Sequence, residues 1–209
     1  SKSRQQSVMN MLFYDRMNGF QRPGLMLLVT PGLLPDNVEL SPKVTVKPDG
    51  LSDEWRFYDR SYPLFGWAKI SLRLKKQVKD LGKLYIVSHY GVDRNMGGVF
   101  KDGWVTGRMR ELGASYEIAY DDTPPVLTAF KASARTLRVV AFDRQSGLHS
   151  FKGFVDGRFV LFEYMEKSGV YVCNLPSAPV AKTGGEHSVK LVAVDERGNR
   201  SVFDGKFKY

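Results

Sequence analysis

Residues 68–75 alternate without a break: Ala68, Ile70, Leu72 and Leu74 are apolar, while Lys69, Ser71, Arg73 and Lys75 are polar or cationic. In an extended chain successive side chains point to opposite faces, so this octet offers one face to a core and one to water. Nothing in the sequence sustains helical spacing over three turns, and the best candidate, around Lys75–Leu81, would make one or two turns. Strands that bury one face each belong in antiparallel sheets packed in pairs. The fold class read from this pattern is all-β.

Shorter strand candidates recur at Met9–Tyr14, Leu25–Thr30, Val44–Lys47, Trp55–Tyr58, Leu84–His89, Trp104–Met109 and Tyr116–Tyr120. Turn chemistry separates them, at Pro31-Gly32, Pro35-Asp36-Asn37, Pro48-Asp49-Gly50, Gly97-Gly98 and Asp102-Gly103. Asp121-Asp122-Thr123-Pro124-Pro125 then marks a boundary, because adjacent prolines cannot donate to a ladder. Two tandem antiparallel β-sandwich domains are expected, at residues 1–122 and 123–209.

In the second half the candidates are Val126–Lys131, Thr136–Phe142, Ser150–Val155, Arg158–Tyr164, Val170–Asn174, Ser188–Val194 and Ser201–Phe207. About seven short strands at this spacing suit an immunoglobulin-like sandwich. Asp156-Gly157 fits a two-residue type I′ hairpin, which would set Phe154 opposite Phe159. The segments 137–147 and 189–199 echo each other as a strand, an Asp and a Gly-containing turn. Asp143 with Gly147, and Asp195 with Asn199, are read as structural turns in which the carboxylate accepts backbone N–H groups. One Asp per turn supplies too few oxygens for calcium.

The only cysteine, Cys173, excludes an internal disulfide and falls in an apolar run that reads as core. The net charge is +9, and both halves share it: 18 Lys/Arg against 14 Asp/Glu in residues 1–122, and 13 against 8 in 123–209. With no basic block, nucleic acid is not an expected partner. Solubilising charge on outward faces is the plain reading, and affinity for an anionic surface is permitted. No apolar run has the roughly 18–20 residues of a membrane-spanning helix. No export signal is visible within the sequence, so one is expected outside it.

His89 and Asp93, four apart, are the one tempting metal pair. A catalytic zinc needs a third protein ligand, and neither His149 nor His187 has a second His two residues away. The pair is therefore set aside, leaving no catalytic residue, metal site or cofactor in the reading. Ser88 adjoins His89 but points to the opposite strand face, and no Gly-rich loop opens a helix. Trp55, Trp67 and Trp104 are read as core or as a sugar-stacking platform, with Tyr90 and Trp104 the candidate ligand surface.

An ordered set of blocks carries a family resemblance. Gly97-Gly98-Val99-Phe100-Lys101-Asp102-Gly103-Trp104-Val105 is followed by Gly113-Ala114-Ser115-Tyr116 and Asp122-Thr123-Pro124-Pro125-Val126. The second half continues it in Asp143–Gly147, Gly153–Tyr164, Gly185-Glu186-His187 and Asp195–Asn199. This order resembles the non-catalytic C-terminal region of lysostaphin-type (LytM-like) zinc metallopeptidases of Gram-negative anaerobes, from about Pro31 onward. Arg158-Phe159 departs from the Gly-Lys-Trp-like hairpin start of that pattern. The resemblance implies a periplasmic or outer-envelope module, in contact with its own upstream peptidase-like domain or with cell-wall polymer. A cell-wall or carbohydrate-binding module is the first alternative. An adhesin-type subunit with Ser7–Tyr14 as a donated strand is the second.

Overall fold

The structure is a computed structural model that describes residues 10–166 and 168–209. Ser7–Met9, part of the candidate donor strand, lie outside the described residues. The chain divides into two compact units, one ending at Asp121 and the other starting at Asp122. Both are antiparallel β-sandwiches, and no α-helix occurs among the described residues. No helix is long and apolar enough to cross a membrane.

The first unit holds β1 (Met11–Leu12), β2 (Asn18–Arg22), β3 (Leu25–Val29), β4 (Val38–Glu39), β5 (Lys43–Thr45) and β6 (Glu54–Arg56). It continues with β7 (Pro63–Arg73), β8 (Leu84–Tyr90), β9 (Val92–Asn95), β10 (Val99–Lys101), β11 (Trp104–Glu111) and β12 (Ser115–Tyr120). One sheet runs β10-β11-β7-β3-β2, the other β5-β6-β12-β8-β9, and β1 pairs with β4. Ala68, Ile70 and Leu72 are buried while Lys69 and Arg73 are exposed, as the alternation requires. They share one core with Leu25 and Leu27 of the same sheet and with Ile86, Tyr116 and Ile118 of the other.

Three local features differ from the sequence reading. β2 carries no alternation beyond Phe20, and its buried Asn18 hides the pattern. That amide is satisfied by the carbonyls of Phe13, Arg16 and Val29, and its Oδ1 accepts the Phe13 N–H. The expected helical turns near Lys75–Leu81 reduce to one 3₁₀ turn at Leu81–Lys83, capped by Asp80. Gly97-Gly98 is not a simple hairpin turn but a crossing that stitches the sheets together. Met96 N–H donates to Ile86 O at 2.8 Å and Ile86 N–H to Gly97 O at 2.8 Å, while Met96 O accepts from Arg108 N–H at 2.9 Å. A Cβ on Gly98 would lie 2.6 Å from Tyr85 Cα, so the close approach needs glycine.

The second unit holds β13 (Val126–Ala132), β14 (Thr136–Phe142), β15 (Leu148–Val155), β16 (Arg158–Val160), β17 (Glu163–Met165), β18 (Val170–Asn174), β19 (Glu186–Asp195) and β20 (Arg200–Lys208). Its sheets, β13-β14-β18-β17 and β16-β15-β19-β20, have the A-B-E-D and C′-C-F-G order of an immunoglobulin-like sandwich. The expected single strand Arg158–Tyr164 breaks at Leu161-Phe162, and its halves join different sheets. The break is made by Phe162, which stacks edge-on against Phe151 at 5.3 Å. Its ring fills the space over Gly153, where a Cβ would come within 2.2 Å. Cys173 is buried in the core, and burial pushes its thiol pKa up.

Asp143 accepts the Gly147 N–H at 2.9 Å, and Asp195 accepts those of Arg197 and Asn199, each at 2.9 Å. The left-handed residue of the second turn is Gly198, while Asn199 donates its side-chain amide to Asp195 at 2.8 Å. At the hairpin Asp156 and Gly157 take φ of 50° and 79°, and Phe154 sits opposite Phe159 with ring centroids 6.1 Å apart. Asp156 does more than turn the chain. Its carboxylate accepts the Ser188 N–H at 2.9 Å and meets His187 Nδ1 at 2.7 Å, and His187 Nε2 lies 3.1 Å from Tyr209 O. The Thr183 hydroxyl also lies 3.4 Å from Nε2. The Asp156 hydrogen bond holds the His187 pKa above its ordinary value, and in return His187 holds that of Asp156 low.

Two variants test this hairpin by thermal melts. Gly157→Val forces a branched side chain into a left-handed position and should cost roughly 1–3 kcal/mol. Asp156→Asn should destabilise in a pH-dependent way. The His187 contribution is full below about pH 6.5 and is lost as pH rises through the raised folded pKa. The Asp156 contribution is present above about pH 3.9 and is lost as pH falls through the lowered one. The Tm gap between parent and Asp156→Asn is therefore widest between about pH 3.9 and about pH 6.5 and narrows as pH rises through the raised His187 value or falls through the lowered Asp156 value.

Candidate functional site

On the outer face of β6, β12, β8 and β9, pairing of Tyr116 with Trp55 brings Glu117 beside Glu54. Adjacent like charges on one sheet face are unfavourable unless cations intervene. Lys47, just past β5, places Nζ 2.9 Å from Glu54 and 2.8 Å from Glu117. His89 lies directly opposite Asp93, with Nδ1 2.6 Å from Asp93 Oδ1 and Nε2 3.0 Å from Glu117 Oε2. Ser115 Oγ donates to Glu54 Oε1 at 2.6 Å.

The hydrogen bonds of the network shift the pKa values of three of its members. Burial depresses the His89 pKa, but hydrogen bonds to Asp93 and Glu117 outweigh it, so the net shift is upward. Hydrogen bonds to Glu117 and Glu54 raise that of Lys47. Burial raises the Glu54 pKa, yet hydrogen bonds from Ser115 and Lys47 bring it below the ordinary range. When the ring is protonated it donates from Nδ1 to Asp93 and from Nε2 to Glu117, and that form is the one the two hydrogen bonds favour.

Glu54, His89 and Glu117 offer one nitrogen and two oxygens within 4.8 Å of one another, a set of metal-ligating types. These ligand atoms are already turned to other use. The ammonium of Lys47 lies between the carboxylates, and both His89 nitrogens are engaged by carboxylates. A metal would have to displace the lysine and break a hydrogen bond of the imidazole. The spacing of His89 and Asp93 was legible in the sequence, whereas Glu54 and Glu117 arrive from β6 and β12 through strand register alone. His149 pairs separately with Glu196 at 3.2 Å in the second unit.

A second feature of the first unit has the opposite character. Met109 pairs with Ala68 but Glu111 with Pro63, so Leu64–Trp67 bulge out opposite Arg110 alone. Such bulges bend a strand and re-aim its side chains. Phe65 and Trp67 are left exposed, Trp67 at 45%. The Arg108 guanidinium lies 4.3 Å from the centre of the Trp67 ring and that of Arg110 5.6 Å. Trp67, Tyr90, Arg94, Arg110, Glu111 and Tyr116 help line a cavity of about 330 Å³. Glu111 is occupied with Ser61 Oγ at 2.5 Å and the Tyr62 N–H at 2.8 Å. Among the described residues, Arg94, Arg108 and Arg110 form no ion pair.

Of the two candidate ligand residues, Tyr90 lines this cavity and is half-exposed. Trp104 does not: it is partly buried at the start of β11, with Arg73 at 5.8 Å. Trp55 is core. The aromatic that joins Tyr90 is Trp67, and its position depends on a bulge with no signature in the strand pattern. A larger depression of about 640 Å³ in the second unit is lined by Lys190, Asp204 and Lys206, and Lys206 already pairs with Glu186 at 3.3 Å.

The ionic network can be tested by NMR titration of the His89 ring. Its pKa should lie above about 6.5, and Glu117→Gln should lower it measurably by removing one of the two carboxylates.

Compared with protein-family models, residues 9–121 match one described as a Zu5-like domain. No curated protein matches the chain.

Proposed function

The chain belongs to the Zu5-like domain family, and from that premise we propose that it is a non-catalytic interaction module of a bacterial cell-envelope protein. The observation that carries this reading is the closed state of the His89 network. A general base needs a lone pair facing a substrate, and a catalytic metal needs an open position. Here the imidazole is engaged at both nitrogens and Lys47 lies between the two glutamates. The chain's work would then be done by its surfaces. The ordered resemblance to the C-terminal region of LytM-like peptidases supports a murein-peptidase-like parent protein in the periplasm or outer envelope.

A cell-wall or carbohydrate-binding role is favoured by one specific feature, the exposed Trp67 and Tyr90 beside arginines that form no ion pair among the described residues. The adhesin reading loses support, since Met11 and Leu12 of the candidate donor strand already pair with Glu39 and Val38.

Peptidoglycan turnover decides between module and enzyme. With zinc added, neither the purified chain nor His89→Ala should release soluble fragments. Fragment release by the parent that disappears in His89→Ala would overturn the proposal.

A further inference from the structure

We propose that the cavity at the β7 bulge binds a saccharide unit bearing a carboxylate, an inference that rests on the reading of the chain as a non-catalytic binding module. The argument begins with charge. Arg94 and Arg110 line the cavity and Arg108 lies over the indole of Trp67. None of the three is neutralised by a carboxylate among the described residues, although other cations of this unit are. Lys47 has Glu54 and Glu117, and Lys75 has Asp53 at 2.7 Å. Glu111, the acid in the cavity wall, is spent on Ser61 and Tyr62.

Geometry then selects among anions. A guanidinium held over an aromatic ring loses little freedom when it binds, and it meets a planar oxyanion edge-on through two parallel N–H groups. Trp67 supplies that ring for Arg108, with Arg110 close by at 5.6 Å from the ring centre. The Arg110 contacts to Leu64 O and Phe65 O are long, 3.4 and 3.5 Å, so its donors remain available.

Tyr90 provides the other half of the recognition. It is half-exposed, lines the cavity and makes no ring contact among the described residues, which leaves a flat apolar face with a hydroxyl at its tip. A pyranose ring offers the matching surface: C–H groups on one face and hydroxyls at the rim. At about 330 Å³ the cavity is near the lower limit for a ligand pocket, so it fits one ring rather than several. Sequence-tolerant nucleic-acid binding would need a basic groove that follows a backbone, which a single pocket does not supply.

The test is calorimetric, with a glucuronate tetrasaccharide, a glucose tetrasaccharide of the same linkage and tetraglutamate as probes against the full chain. The glucuronate probe should bind at least tenfold more tightly than either of the others. Arg94→Gln and Arg110→Gln should each weaken it at least tenfold with unchanged Tm, and Tyr90→Ala should weaken it too. Arg138→Gln, an equal loss of charge at an exposed position of β14, should leave it unchanged. Equal binding of the glucose probe would overturn the proposal, and so would tetraglutamate binding as tightly, which would indicate an acidic-peptide surface. Loss of binding in Arg138→Gln to the same degree would reduce it to general charge attraction. No heat with the glucuronate probe at millimolar concentration would remove the site, while the module reading, judged by peptidoglycan turnover, would stand.

Discussion

The first unit depends on the backbone crossing at Met96–Gly98, where one short segment hydrogen-bonds to a strand in each sheet. Each five-stranded sheet has an apolar face that only the other can cover, and covering it requires the edge between β8 and β11 to close. Closure at hydrogen-bonding distance leaves no room for side chains, which is why Gly98 and Gly107 stand there. A Cβ on Gly107 would lie 2.8 Å from Met96 O. The same crossing sets β9 against β8 and β10 against β11. The tight turn at Gly91, φ 72°, puts Asp93 opposite His89, and Arg94 follows it to the cavity beside Tyr90.

The two features treat charge in opposite ways. On the outer face of β12 each glutamate meets a cation, so the cluster is neutralised internally and its protons are held. Pairs this exposed contribute little stability individually, and their effect is to fix ionisation and orientation. At the β7 bulge the cations include Arg108 and Arg110 over an indole ring, and among the described residues they form no ion pair. A guanidinium left without a carboxylate beside an exposed aromatic is open to an external partner.

Where a strand has one buried face and no interruption, its residues disclosed it: the 68–73 stretch of β7, β14 and the hairpin at Asp156-Gly157 all follow from local pattern and turn chemistry. The hidden elements have particular causes. Asn18 occupies a core position in β2 because its amide finds backbone partners, so the position reads as polar. Phe162 ends β16 and sends the chain to the other sheet because Gly153, several residues earlier, leaves space for its ring. Such a long-range fit has no local period. The site was legible to the same limited extent. His89, Asp93 and Tyr90 could be singled out as neighbours in sequence, but Glu54 and Glu117 depend on register, and Trp67 depends on a bulge set by pairing with β11. Asp156 looked like a turn residue only, since its ion pair with His187 spans two strands distant in the chain.

The central claim is that the first unit closes its carboxylates and leaves its arginines open around Trp67. Tryptophan fluorescence reports this directly, because Trp55 is buried, Trp104 is partly buried and Trp67 is exposed. Quenching by iodide and by caesium at matched ionic strength measures the sign of the potential at the exposed indole. Iodide should quench strongly and caesium weakly, and Trp67→Phe should abolish the difference. Equal quenching by the two ions, or a difference that survives Trp67→Phe, would contradict the account.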